Sequence, residues 1–130
     1  MSSTPLLPAA LGVAPGSVTI VLFSQPDCEY CEEVRARYLV PMMRSKPPRL
    51  VFAETRIDGP RRVAGGAANG LTEAGLAQRH GVVFAPTVAF LGAQGEVLAP
   101  PIVGLSRDYF GAYLEARIAL ALQTASRRSP

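Results

Sequence analysis

The only two cysteines of the chain stand three residues apart, in Ser24-Gln25-Pro26-Asp27-Cys28-Glu29-Tyr30-Cys31. The thiolate is the reactive form of cysteine, and two thiols spaced i, i+3 across the first turn of a helix can close a small, reducible disulfide. This pattern points to thiol–disulfide exchange. Cys28 falls at a predicted helix start, where partial positive charge and free N–H donors lower a thiol pKa, so it is assigned the attack on a substrate disulfide. Cys31 lies one turn in, on the apolar face, and is expected to be shielded and to resolve the mixed disulfide. Asp27, Glu29, Glu32 and Glu33 crowd the same turn and oppose a thiolate. A surface carboxylate shifts a neighbour by a few tenths to about one pKa unit, so several together offset much of the helix contribution. The expectation is a disulfide comparatively hard to reduce, and hence a reductant rather than an oxidant.

Other uses of the cysteines remain open at this point. The pair could form an inert disulfide, or supply two soft ligands to copper(I) in a thiol carrier. A zinc site lacks ligands, because there is no second cysteine pair and the only histidine, His80, is remote in sequence. No metal and no cofactor is expected. His80 precedes Gly81 at a predicted helix end, a place where a histidine serves the helix dipole more readily than catalysis.

The elements that must hold this motif follow from periodicity. Residues 18–23, Val-Thr-Ile-Val-Leu-Phe, are β-branched and aromatic and read as a strand that Pro26 helps to end. From Glu32 the period changes: Cys31, Val34, Tyr38 and Met42 mark one face of a helix spanning about 28–43, with a bend or stop expected near Val40 because Pro41 cannot sit in a helix interior. Residues 50–57 form a second strand, and composition makes the Gly-rich stretch 59–70 a loose loop. Thr72 is a candidate N-cap for a short helix, with Leu71 and Leu76 placed as a hydrophobic staple. Residues 84–91 and 96–98, joined by Gly92-Ala93-Gln94-Gly95, read as a β-hairpin. A last helix capped near Ser106 buries Phe110, Leu114, Ile118 and Ala121 or Leu122. The order is βαβ followed by ββα: an α/β fold with a four-stranded mixed sheet and helices on both faces.

The totals fit one domain over residues 18–125, with an N-terminal tail or edge segment at 1–17 and a C-terminal tail at 126–130. Hydrophobic residues make up 48% of the 130, enough for an ordinary core. A net charge of +3 with intermixed signs and no basic stripe gives no nucleic-acid surface. The longest apolar stretches are too short to span a membrane. Residues 1–17 lack a charged leader and are broken by Pro5, Pro8 and Pro15, so no signal peptide is visible in the chain.

These residues resemble the thioredoxin superfamily over about 18–123. Three features carry the resemblance: the strand-to-helix Cys28-Glu29-Tyr30-Cys31, the later Ala85-Pro86-Thr87 before a strand, and Gly95 and Gly104 ahead of the last helix. Within it, Gln25 to Cys31 and Tyr38-Leu39-Val40-Pro41 are most similar to small bacterial periplasmic thioredoxin-like proteins with a CxYC motif, including those associated with sulfur oxidation. The resemblance implies a thioredoxin fold and a thiol–disulfide oxidoreductase with Cys28 and Cys31 as its redox disulfide. It also implies that Pro86 is a cis-proline beside them, with Tyr30, Ala85, Pro86 and Thr87 binding substrate. Protein thiols and disulfides would be the partners, an upstream redox partner would supply electrons, and a monomer in the periplasm is expected. The cytoplasm is the alternative compartment, and a redox-silent thioredoxin-fold adaptor an alternative function. Departures are equally plain. Cytosolic thioredoxins resemble one another in having a buried Asp six residues before the first cysteine, where this chain has Leu22, so a proton acceptor for the second thiol is not evident. Glutaredoxins resemble it through Tyr30 but not through Ala85-Pro86-Thr87 or Gly92 to Gly95.

Overall fold

The computed structural model describes residues 10–12, 14–65, 68 and 70–128. Residues 1–9 and 13 of the expected N-terminal tail or edge segment, and residues 129–130 of the C-terminal tail, lie outside them. In chain order the elements are β1 (Val18–Ser24), α1 (Glu29–Val34), a π-helical segment (Arg35–Leu39), α2 (Val40–Arg44), β2 (Leu50–Arg56), α3 (Glu73–Arg79), β3 (Thr87–Leu91), β4 (Val97–Val103) and α4 (Phe110–Arg128). The sheet order is β2-β1-β3-β4, with β1 and β2 parallel and the other two pairings antiparallel. This is the thioredoxin fold.

All seven residues of β1 are buried, as are all five of β3, which is why both read as continuous apolar runs. Side chains alternate across the sheet. Ile20, Leu22, Phe52, Val88 and Phe90 share a core with Val34, Leu39, Val40, Phe110 and Leu114 on one side. Val21, Phe23, Ala53, Ala89 and Leu91 pack with Leu76, Ala77 and Val63 on the other. Both faces are therefore covered. Truncating a side chain as completely buried as Phe90 costs about 3–5 kcal/mol.

Four local expectations are corrected by packing. Pro41 does not stop its helix: the π-helical turn just ahead of it, in which the Val40 N–H donates to the Arg35 carbonyl, takes the extra residue that lets the chain pass the proline ring. The wider turn also buries Leu39 and Val40 fully, while Tyr38 and Met42 pack against the same core partly buried. The stretch 59–70 is not loose where it is described, since Val63 and Ala68 are buried and Arg62 bridges to Thr72. Gly59 belongs to this packing, because a Cβ there would collide with the Glu73 carboxylate. β4 runs on to Val103 through Pro100 and Pro101, which an edge strand tolerates, with a register irregularity opposite β3. The last helix begins later than Ser106 and continues to Arg128; the Ser106 carbonyl still accepts the Phe110 N–H at 2.8 Å.

The short helix α3 is built as the sequence predicts. Thr72 Oγ1 accepts the Gly75 N–H at 3.0 Å, and Leu71 and Leu76 meet in the same core. None of the described helices is long and apolar enough to cross a membrane.

Candidate redox site

The site forms where β1 ends. Pro26 and Asp27 make the turn, and Asp27 takes a positive φ of 56°, a conformation that Asp tolerates better than most residues. The turn delivers Cys28 in an extended conformation as the N-cap of α1, and its Sγ accepts the Cys31 N–H at 3.1 Å. Cys28 and Cys31 are joined by a disulfide, with Cα atoms 5.2 Å apart. Cys28 is partly exposed and Cys31 is buried. Only one sulfur is thus presented to solvent, at a helix N-terminus.

The second wall comes from β3. Phe23 of β1 is paired with Thr87 of β3, so the residues just before Thr87 lie at the same end of the sheet as the cysteines. The Ala85–Pro86 peptide is cis. The Pro86 carbonyl accepts the Gly104 N–H at 2.7 Å, and three residues on, Arg107 packs its guanidinium over the Tyr30 ring and pairs with Glu33 at 3.0 Å. This loop ties the β3 entrance to α1. Of the residues assigned to substrate, Tyr30 is 52% exposed, Ala85 is partly covered and Pro86 is buried. Thr87 is turned inward, its hydroxyl donating to the Phe84 carbonyl at 2.6 Å. Val83 and Phe84 are exposed beside them.

The four carboxylates expected to oppose the Cys28 thiolate do not act as a set. Glu33 is held by Arg107 and Arg37, and its hydrogen bond with Arg107 keeps its carboxyl below the usual carboxylate range. Glu32 is paired with Arg35 at 2.8 Å. Asp27 and Glu29 stay exposed on the rim.

Sequence reasoning missed the charge beneath the site. Glu54, in register with Leu22 on the neighbouring strand and on the same face of the sheet, is only 8% exposed. Arg35, one helical turn after Cys31, is equally buried and grips it with two N–H donors, at 2.8 and 2.5 Å; the Ser24 hydroxyl donates to Glu54 at 2.8 Å. That hydrogen bonding to Glu54 raises the Arg35 pKa further, against the effect of burial. The position six residues before Cys28 is therefore apolar, while a carboxylate reaches the same layer from β2. Two signals existed in the sequence: an acidic residue in an apolar strand, and an arginine four residues after Cys31 on the helix's buried stripe.

Cys28, Arg35 and Glu54 line an open cleft of about 650 Å³. Arg56, Arg61 and Glu73 also line it, and the buried Glu73 carboxylate accepts the Arg56 backbone N–H at 3.0 Å. His80 is the C-cap of α3, away from this cleft; burial, with a smaller contribution from Arg79, lowers its pKa and keeps it neutral, so it does not serve the helix dipole as a cation. Among the described residues no group of three or more His, Cys, Asp or Glu is placed to hold a metal ion.

Residues 13–118 match the model of the thioredoxin-like domain family. The chain belongs to the thioredoxin-like family. Among solved structures, this thioredoxin-like protein is similar to thioredoxin O2 from Arabidopsis thaliana in its oxidized state, at 17% identity and a TM-score of 0.54, over 78% of this chain and 75% of that one. It is equally similar to a chain in a structure on the thiol-resolving mechanism of a yeast mitochondrial 1-Cys peroxiredoxin via glutathione/thioredoxin systems. There the identity is 14% and the TM-score 0.54, over 79% and 78% of the two chains. Both likenesses are of fold. No curated protein matches the chain. The family and the bonded CxxC pair together support thiol–disulfide oxidoreductase chemistry at Cys28 and Cys31.

Proposed function

We propose that this thioredoxin-like protein reduces disulfides in protein substrates outside the cytoplasm. The observation that carries the reading is the asymmetry of the CxxC pair: Cys28 is partly open at the helix start and Cys31 is buried behind it. In the reduced protein the Cys28 thiolate attacks a substrate disulfide, and one substrate sulfur leaves as thiolate while the other is held in a mixed disulfide. Cys31 then gives up its proton and attacks Cys28 Sγ. The Cys28–Cys31 disulfide forms, and the second substrate sulfur leaves and is protonated. Two electrons have passed to the substrate, and an upstream dithiol restores the protein. The bonded pair described above is the oxidised end of this cycle.

Tyr30 and the backbone around Ala85 and Pro86 border the groove in which an extended substrate segment lies against Cys28. Thr87 contributes through its place in the strand rather than its inward hydroxyl. The direction of electron flow is supported by Asp27 and Glu29, which stay exposed on the rim beside Cys28. The CxYC motif favours the periplasmic, sulfur-oxidation-associated branch of the family and, with it, an extracytoplasmic location.

Equilibration of the pair against glutathione tests the direction, with a potential below that of strong oxidants expected; a value above about −150 mV overturns the reductant reading. A Cys31→Ser variant should accumulate mixed disulfides with disulfide-containing substrate proteins and lose turnover of a protein disulfide such as insulin. Stoichiometric copper retention by the reduced protein without disulfide reduction would establish the carrier instead. Full biological activity in Cys28→Ser would establish the adaptor.

A further inference from the structure

The Arg35–Glu54 pair is unusual in its placement. Both side chains are about nine-tenths buried, and the pair lines the cleft that holds Cys28. Taking two charges out of water is expensive, and apolar residues of the same size would commonly give equal stability. Arg35 cannot drift, because Glu54 holds it with two hydrogen bonds and Ser24 holds Glu54. It follows Cys31 by one turn on the same buried face, and Arg35 and Glu54 line the same cleft as Cys28.

We propose that Glu54 keeps the reduction potential of the Cys28–Cys31 couple low by cancelling the charge that Arg35 holds at a fixed position in the same cleft. This inference rests on the thiol–disulfide reading above. Reducing the disulfide creates negative charge on Cys28, and any charge fixed nearby that favours a thiolate stabilises the dithiol and makes the couple more oxidising. Arg35 alone would do so; Glu54 cancels it. A unit charge left uncompensated within about 10 Å, in a medium of effective dielectric ~20, changes such an equilibrium about tenfold. The two partners are positioning residues that act on the sulfurs through their field. The other charges on the cleft, namely Asp27, Glu29 and Glu32 on the rim and Arg56, Arg61 and Glu73, are unchanged in the comparison.

The test is the equilibrium with glutathione alone: one protein disulfide and two glutathione thiols give one protein dithiol and one glutathione disulfide. Two electrons are transferred, and the glutathione protons pass to the protein thiols and, where Cys28 is ionised, to solvent. Glu54→Gln leaves Arg35 paired only with Glu32 and is expected to favour the dithiol about tenfold, which is about 30 mV more positive. Arg35→Met, compared with the wild type under the same conditions, is expected to move the equilibrium the opposite way. The double variant is expected to return to within about threefold of the wild type. Shifts of the same sign in the two single variants, or shifts under about twofold beside lowered melting temperatures, would mean a structural role only and overturn the proposal. If Glu54→Gln does not fold by circular dichroism, the sign of the Arg35→Met shift decides. A wild type that equilibrates with glutathione but reduces no protein disulfide overturns the proposed function and leaves this inference standing; a wild type that does not exchange with glutathione overturns both.

Discussion

Two buried carboxylates line one cleft, and they are held in different ways. Glu54 is met by a guanidinium as buried as itself, whereas Glu73, only 1% exposed, is met by a backbone N–H and by Arg61, whose side chain is 68% exposed. The first arrangement spends desolvation on two ions and places both on the cleft that Cys28 lines. The second ties α3 to the end of β2 and the 59–70 stretch, with its cation left in water. A buried acid is therefore not one kind of feature: its partner's burial separates a group that shapes chemistry from one that fastens a loop.

That contrast can be broken experimentally, beginning with the largest effect. Glu54→Ala strands Arg35 with only its Glu32 contact and should cost about 3 kcal/mol in urea denaturation, while an Arg35→Met/Glu54→Leu double replacement should recover most of it. No recovery would mean that the pair stabilises the fold outright. Glu73→Ala removes a charged acceptor from a buried N–H and should cost about 2 kcal/mol, with disulfide-reducing activity per folded molecule unchanged. A changed potential in that variant would erase the distinction between the two acids. Arg61→Ala should cost less than about 1 kcal/mol, because an exposed cation gains little from its pairing. The smallest expected effect depends on pH, on the Glu73 side of the sheet. Burial holds the His80 pKa below that of the unfolded chain, and its Nε2 lacks a hydrogen-bond partner among the described residues. The unfolded state then binds the proton first, so this stability is complete above about pH 6.5 and is lost as pH falls through that value toward the folded pKa. His80→Asn should flatten the dependence in thermal melts between about pH 5 and 7.

The sheet, the βαβ and ββα halves, the cap at Thr72 and the redox pair were legible because each depends on near neighbours in the chain: alternation, a helical stripe, a hydroxyl three residues from its N–H, two sulfurs on one turn. The Arg35–Glu54 pair was not, since it joins residues that meet only when β2 lies beside β1 and α1 covers them both. Leu22 in place of an acid left no proton acceptor evident for the second thiol, and only the strand register puts Glu54 in the same layer. The π-helical turn was half legible. Pro41 announced a disturbance, but whether a helix stops or absorbs a proline depends on what its far side packs against, here Leu39 and Val40 in the core. The packed part of 59–70 was hidden by its glycines, which read as slack until the Glu73 carboxylate is seen to occupy the space a Cβ would need.

Pro100 and Pro101 have a consequence for how molecules of this protein meet. They sit in β4, an outer strand of the sheet, and neither carries an N–H, so that border lacks consecutive donors where an incoming chain would seek them. Crowded copies are thus discouraged from joining sheet to sheet along β4.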